Sequence, residues 1–365
     1  MAEVTHSLGE IDRDKLKRFI KQSGEMVAAG FNCAVTVLGD RLDLYAALAN
    51  AGPANSQELA SRTGLHERWI REWLYHQACI GQLEYEDGRF SIGAEAHAVL
   101  VDETSPAFLM GAFDSAITVG PAVSKLEEAF KTGLGMSYDE HGPNCACAIE
   151  RMGAFTKNHR LVPTLIPLIE GLSDQLDAGI RVADVGCGGA LSTIAMAQCY
   201  PNSTFVGYDI SEHALSRARD NVIESGLGNI EIKNPLESPM SEAGVFDFAT
   251  TFDVIHDTPY PADLIRDIHS ALAENGIWLC EDIRGFETFE ENLEKHPMAA
   301  MLYGFSVMVC MNSGMSASDG AGLGTLGFTE GVAREMTHAA GFSSFDRLEV
   351  DNPMNSYYVL RKETI

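Results

Sequence analysis

Positive charge is what this chain has least of. Against 52 aspartates and glutamates stand only 26 lysines and arginines, a formal net charge of -26 over 365 residues. A field of that sign repels phosphate backbones and anionic lipid, so roles on nucleic acid or a membrane surface start at a disadvantage. Solubility in a salty or crowded cytosol explains the same charge, and acidity alone names no partner. Long apolar runs are missing too. None reaches the about 18 residues of a membrane span, and the opening MAEVTHSLGEID is polar and acidic, unlike a secretory or organelle leader. A cytoplasmic protein with no membrane partner and no nucleic-acid partner is expected. Cysteine is neither dense nor patterned: thiols at 33, 79, 145, 147, 187, 199, 280 and 310 are scattered. Cys145 and Cys147 lack the second pair or histidine cluster that would complete a zinc site, so reduced thiols and no metal are expected.

What is present suggests two or three compact units, with 45% hydrophobic residues for their cores. Residues 11–50 predict helices, with Leu16, Phe19, Ile20, Met26, Phe31, Val35, Val37 and Leu38 on broad apolar faces. Asp40 to Leu48 continues as helix until the breaker Ala51-Gly52-Pro53. Ser56 reads as the N-cap of a short helix, and after Thr63-Gly64 another runs from His66 through Trp69, Trp73 and Tyr75. Gln82 to Ile92, folded about Asp87-Gly88, predicts a hairpin. Residues 42–93 therefore have the order of a winged helix. That motif often reads DNA, but residues 41–100 hold five arginines and no lysine against eight acids. The helix that would enter the groove carries Trp69, Trp73 and Leu74, where DNA reading needs basic and polar groups. Packing of those aromatics against a second subunit or an internal core fits better, and dimerisation is the favoured use.

Residues 100–180 read as a mostly helical connection, broken by loops at Gly133 to Met136 and His141-Gly142-Pro143, from which a substrate lid could come. Candidate strands then alternate with helices: 181–185, 204–208, 229–233, 246–252, 276–282 and 345–361. This alternation predicts an open, mainly parallel sheet with helices on both faces and ligands at the strands' carboxyl ends.

The stretch 181–209 is the most informative. It reads as strand, glycine turn, helix, second strand and terminal carboxylate, with Asp209 placed 21 residues beyond Gly188 to accept ribose hydroxyls. A dinucleotide fingerprint would need a glycine where Leu191 stands. The Asp184-x-Gly186-x-Gly188 turn instead resembles motif I of class I S-adenosylmethionine-dependent methyltransferases. Phe246-Asp247, the strand behind it, a helix, the Asn275-Gly276 turn and a strand ending in Glu281-Asp282 resemble that class's later motifs. Glu67 to Leu74, Phe252 to Asp257, Asp319 to Thr325 and Asn355 to Tyr358 further resemble a bacterial family of winged-helix methyltransferases that act on small molecules. The resemblance covers nearly the whole chain beyond about residue 30.

It implies an α/β fold: a Rossmann-like class I methyltransferase domain over 176–365, an N-terminal mainly helical winged-helix dimerisation domain over 1–100, and a helical connection with a possible lid over 101–175. It also implies a homodimer, S-adenosylmethionine as cofactor, and a small-molecule methyl acceptor. The cofactor contacts it implies are Asp184, Gly186, Cys187, Gly188, Asp209, Ile210, Asn234, Pro235, Phe252 and Asp253. Two departures stand out. Ala190 replaces the third motif I glycine, with Gly189 beside it, and Asn234-Pro235 stands where a strand-end acid often meets the adenine amine.

Methyl transfer from a sulfonium needs in-line approach to an already activated methyl, so positioning and exclusion of water provide much of the rate. A base is needed for an alcohol, helps a phenol or thiol, and is unnecessary for a thioether or neutral amine. His256, just past the fourth strand, is the base candidate, with Asp257 to orient it; the alternative is a histidine that caps its own loop. Asp282 holds a substrate or fixes its loop. Tyr138, Asp139 and His141 are candidate substrate contacts or plain surface loop. Met308, Cys310, Met311 and Met315, near Tyr303 and Phe305, either cover a sulfur-containing or apolar substrate or pack a core. Asp319 to Thr325 matches neither a P-loop nor a calcium loop and reads as a flexible connection. The expected function is methyl transfer to a small molecule at sulfur or a hydroxyl. The competing reading is a cofactor-sensing winged-helix transcriptional regulator without catalysis.

Overall fold

The computed structural model describes residues 9–240 and 244–362, and the chain divides into two compact units, Met1–Ile117 and Thr118–Ile365. In the first, one 29-residue helix, Arg13–Arg41, is capped by the Asp12 carboxylate. It does not run on through Leu48 as the apolar pattern predicts. Asp43 takes a left-handed φ of 55°, which ends the helix and starts a separate one, Leu44–Ala51. The next helix, Ser56–Thr63, is capped one residue earlier than expected, because Asn55 and Glu58 form a reciprocal capping box. Glu67–Cys79 follows, with His66 as its N-cap.

Strands β1 (Glu84–Glu86) and β2 (Arg89–Ser91) close the winged helix as an antiparallel hairpin. Asp87 and Gly88 both have positive φ, as the tight turn demands. The two tryptophans of the helix Glu67–Cys79 part company. Trp73 is buried, donates to the Val35 carbonyl at 3.1 Å and meets Tyr45 edge-on at 5.0 Å, whereas Trp69 is 79% exposed. Only Trp73 belongs to this unit's core, with Leu44, Leu48, Leu59, Leu74 and Phe90.

The second unit is built on a seven-stranded sheet. Its strands are β3 (Arg181–Val185), β4 (Thr204–Tyr208), β5 (Ile230–Lys233), β6 (Phe246–Phe252), β7 (Leu272–Ile283), β8 (Ser344–Arg347) and β9 (Asn355–Arg361), in the order β5-β4-β3-β6-β7-β9-β8. The first five run parallel, while β9 is antiparallel to both β7 and β8. The single strand expected over 345–361 is therefore two, joined by the irregular segment 348–354. Period-two alternation feeds two cores. Val182, Phe205, Phe248, Ile277, Leu279 and Tyr357 enter one, and Ala183, Val206, Ala249, Trp278, Cys280 and Tyr358 enter the other. Both faces are covered by helices, so these strands read as continuous apolar runs.

The covering helices follow the same logic. Pro261–Ala271 opens on proline, whose missing N–H costs nothing there, and buries Ile265, Ile268 and Ala271 along one stripe. Residues 110–168 are mostly helical with a loop over 133–137, as expected, but Thr156–Leu165 winds as a π-helix around Pro163, and Ser306–Cys310 is a second π-helical turn. Such wide turns re-aim side chains and recur at functional sites.

Candidate functional site

The strand order reverses between β3 and β6, and the loops leaving their carboxyl ends form the crevice where open α/β sheets take ligands. Gly186 and Gly188 both have left-handed φ, 70° and 56°. A Cβ on Gly186 would strike Val254 at 2.3 Å, so that glycine serves close packing. A Cβ on Gly188 would meet nothing within 4 Å, so the backbone there is open to a ligand. Gly189 is required for another reason, since its Cβ would collide with the Glu150 carboxylate. Ala190, the residue in place of the expected glycine, is buried and adopts φ 62°, a conformation that costs an L-residue roughly 1–2 kcal/mol.

Asp209, at the end of β4, accepts from the Gly188 N–H at 2.8 Å and from the Ser211 N–H at 2.9 Å. Burial raises its pKa, against the lowering effect of those amide donors. Asp184 was expected beside it and is not in the crevice. It is fully buried, and its carboxylate accepts from Ser192 Oγ and Thr193 Oγ1 at 2.6 Å each and from Thr250 Oγ1 at 2.8 Å. It fastens the helix Leu191–Cys199 and β6 to β3 under the turn. Cys187 likewise offers the crevice only its backbone, since its side chain is buried against Gly207. Ile210 is exposed next to Asp209. Asn234 donates to Glu212 Oε1 at 2.8 Å and accepts from the Leu236 N–H at 2.9 Å, so its amide is spent on fixing the loop after β5, with Pro235 half-buried beside it.

Beyond β6 the groups are of another kind. Phe252 is buried with the Lys157 ammonium 5.9 Å from its ring centre. Asp253 takes φ 58° and accepts from Asn355 Nδ2 at 2.8 Å; burial first and the Asp282 charge second push its carboxyl up to about 7, with His256 and Lys157 opposing. His256 is buried between two carboxylates. Its Nδ1 lies 2.5 Å from Asp282 Oδ1 and its Nε2 3.2 Å from Asp257 Oδ1. Burial opposes protonation of this ring, but Asp282 and Asp257 outweigh it and hold the imidazole well above its ordinary pKa. Both ring nitrogens thus face carboxylates, which replaces the loop-capping alternative. Asp282 fixes its own loop through the Ile283 N–H at 2.8 Å as well as orienting the ring.

The loop expected to contact substrate divides. Asp139 is taken up by the helix Glu212–Ser225, accepting from Ser211 Oγ at 2.6 Å and the His213 N–H at 3.3 Å. Tyr138 is raised in pKa, first by burial and then by Cys145, Asp257 and Asp209, so it lies within the electrostatic reach of acids on both sides of the crevice. His141 stacks edge-on to it at 6.3 Å; both its ring nitrogens are buried without a hydrogen bond, and burial lowers its pKa against Asp257 and Glu140. His141 and Met136 also line a cleft of about 120 Å³ with Lys125 and Glu140. Met308 packs with Tyr138 around Val309 and Cys310, so part of the methionine-rich segment is core, while Met311 and Met315 stay half-buried. Asn312 ties this segment to the loop before Tyr138 by accepting from the Met136 N–H at 2.9 Å.

Sequence reasoning missed Lys157 and the role of Glu281. Lys157 sits in the first turn of the π-helix, where its charge lowers the pKa of Asp209, Asp253 and Glu281. A signal existed, for it is the only lysine between Lys131 and Lys233 in an acid-rich chain. Glu281 is buried in β7 with Oε2 unpartnered, and burial, then Asp253, raises its pKa well above the usual range. Glu150, which grips Arg217 with two bonds of 2.6 and 2.7 Å beneath Gly189, had no signal in spacing.

Comparison with known proteins gives the following. A family profile described as "Methyltransferase domain" matches residues 176–329, and one described as "Rv2258c-like winged HTH domain" matches residues 31–101. The chain is 35% identical over 127 residues to the ubiquinone biosynthesis O-methyltransferase of Bordetella avium, 34% of this chain and 51% of that one, so it spans about half the length of the curated relatives it matches. A Nostoc punctiforme protein solved as a candidate O-methyltransferase superposes with a TM-score of 0.71 at 19% identity, over 94% of this chain and 98% of that one. Human N-acetylserotonin methyltransferase, solved in complex with S-adenosylmethionine, superposes with a TM-score of 0.66 at 14% identity, over 98% of this chain and the whole of that one. At these identities the likeness to solved structures is one of fold.

Proposed function

Because the chain carries a winged helix-turn-helix domain at residues 31–101 and a methyltransferase domain at residues 176–329, we propose that it transfers a methyl group from S-adenosylmethionine to a small molecule, at sulfur or at a hydroxyl oxygen. The observation that carries this reading is the pairing of an open glycine backbone and carboxylate, Gly188 and Asp209, with a buried imidazole held by Asp282 across the same strand ends. The residues fit the cofactor: Asp209 can take both ribose hydroxyls, Gly188 leaves room beside it, and Lys157 supplies a cation in a crevice otherwise rich in acid. When bound, the cofactor supplies a methyl already activated on a cationic sulfur.

The chain's own residues then position and deprotonate the acceptor. Tyr138 and His141 form one wall, and Met311 and Met315 offer soft contact from the segment stitched to their loop. His256, kept in orientation by Asp282, receives the acceptor's proton on Nε2 once the proton that the flanking carboxylates hold on the ring has been lost, so activity should rise with pH above the ordinary imidazole range. The O-methyltransferase names among relatives and fold neighbours support oxygen as the accepting atom, and the methionines and apolar wall suit sulfur. Incubation with S-adenosylmethionine and a panel of thiols, thioethers, phenols and alcohols should yield S-adenosylhomocysteine with at least one class. No product from any acceptor would leave a cofactor-binding scaffold or regulator.

The homodimer is part of the same reading. Along Arg13–Arg41, Phe19 is 68% exposed, Met26 75% and Phe31 68%, an apolar face that a second copy would cover. Phe19→Glu with Phe31→Glu should halve the sedimenting mass; an unchanged mass would place any dimer contact elsewhere. The DNA-reading alternative gains nothing from the helix Glu67–Cys79, where Arg68 pairs with Glu72 at 2.5 Å and Arg71 with Glu67 at 2.6 Å. The eight cysteines are all free thiols, which fits a cytoplasmic setting.

A further inference from the structure

Three metal-ligating atoms from two distant parts of the chain meet beside the imidazole. His256 Nε2, Asp257 Oδ1 and Cys310 Sγ all lie within 4.8 Å of one another. His256 and Cys310 are each 2% exposed, and Asp257 Oδ1 is buried facing the imidazole. A tetrahedral ion with bonds of about 2.0–2.3 Å holds its ligands roughly 3.3–3.8 Å apart. Nε2 and Oδ1 are already 3.2 Å apart, so a small closing movement of Cys310 completes the set. The remaining nitrogen of the ring is held by Asp282 at 2.5 Å, which is the carboxylate–histidine arrangement that fixes a metal-binding tautomer. One nitrogen, one carboxylate oxygen and one sulfur suit a soft or borderline divalent ion and disfavour magnesium or calcium.

We propose that His256, Asp257 and Cys310 form a binding site for a divalent cation of the zinc class, with Asp282 positioning the imidazole and a fourth coordination place open. Binding releases two protons to solvent, one from the Cys310 thiol and one from His256 Nε2, so that the thiolate and the neutral imidazole join the Asp257 carboxylate as ligands. One consequence rests on the function proposed above. The cation occupies the same Nε2 that receives the acceptor's proton, so zinc and methyl transfer exclude each other at this site.

Cobalt(II) is the probe, because it substitutes in zinc sites and absorbs visibly when bound by thiolate. Titration of the full chain should give one equivalent of tetrahedral cobalt with a thiolate charge-transfer band, displaced by zinc. In Cys310→Ser the band should vanish, and in Asp257→Asn cobalt affinity should fall at least tenfold. Wild-type protein without the band, or a band of equal strength in Cys310→Ser, would overturn the site. Activity separates the two readings: zinc bound with undiminished methyl transfer would leave the site standing and remove His256 from the proton path.

Discussion

The carboxylates on the two sides of the crevice are comparably enclosed and differently satisfied. On the β3–β4 side, Asp184 accepts three hydroxyl hydrogen bonds and Asp209 two from backbone amides. On the β6–β7 side, Glu281 Oε2, Asp282 Oδ2 and both nitrogens of His141 are buried with no hydrogen-bond partner, and buried Asp257 Oδ1 faces His256 Nε2 at 3.2 Å. A buried polar atom left unpaired costs about 1–3 kcal/mol, so a cluster of them is kept only where something else supplies the partners. The first side is a finished frame that presents one carboxylate and one open glycine. The second is unfinished until acceptor, proton or cation arrives.

That contrast can be broken in four places. The largest effect is expected on the unfinished side: His256→Gln should lower kcat by roughly 10²–10⁴ while cofactor affinity, measured by calorimetry, stays near wild type. A variant with unchanged kcat would reduce the imidazole to a structural part. On the finished side Asp184→Ala should act on folding, lowering unfolding free energy by about 3 kcal/mol as three hydroxyls lose their charged acceptor, read from the denaturant midpoint. A weaker loss of stability with a large loss of cofactor affinity would mean that Asp184 reaches the ligand after all. Asp209→Ala should weaken S-adenosylmethionine binding tenfold or more through lost ribose hydrogen bonds, and calorimetry showing wild-type affinity would remove it from the site. Smallest is Ala190→Gly. Relief of its left-handed backbone should add about 1 kcal/mol and raise Tm by a few degrees, partly offset by glycine's entropy; a lower Tm would show that the Ala190 methyl packs more than its backbone strains.

The frame was legible because its signals are local. A D-x-G-x-G turn, a strand, a helix and an acid 21 residues on lie in one short stretch, and each residue's job follows from backbone geometry it must adopt. Even there the jobs were partly exchanged: Asp184 carries the turn from below, and Asn234 closes its own loop. The break at Asp43 and the cap at Asn55 were missed because propensity gave way to a left-handed residue and a capping box. The hairpin at Asp87-Gly88 was plain, since few dipeptides supply two positive φ angles.

The sequence by itself determined the architecture of this protein: a winged helix ahead of a two-sided parallel sheet, with a glycine turn at its switch point. It could do so because periodicity and turn chemistry act over a few residues. Only the tertiary structure decided who stands around His256. Asp282 comes from β7 and Cys310 from a π-helical turn, while His141, from the segment before Pro143–Phe155, acts on Asp257, and Lys157, from the π-helix after it, on Asp253 and Glu281. No period or spacing links those positions. They meet because strand order and two widened helical turns bring them to one end of the sheet, where low dielectric makes their charges and unpaired lone pairs count.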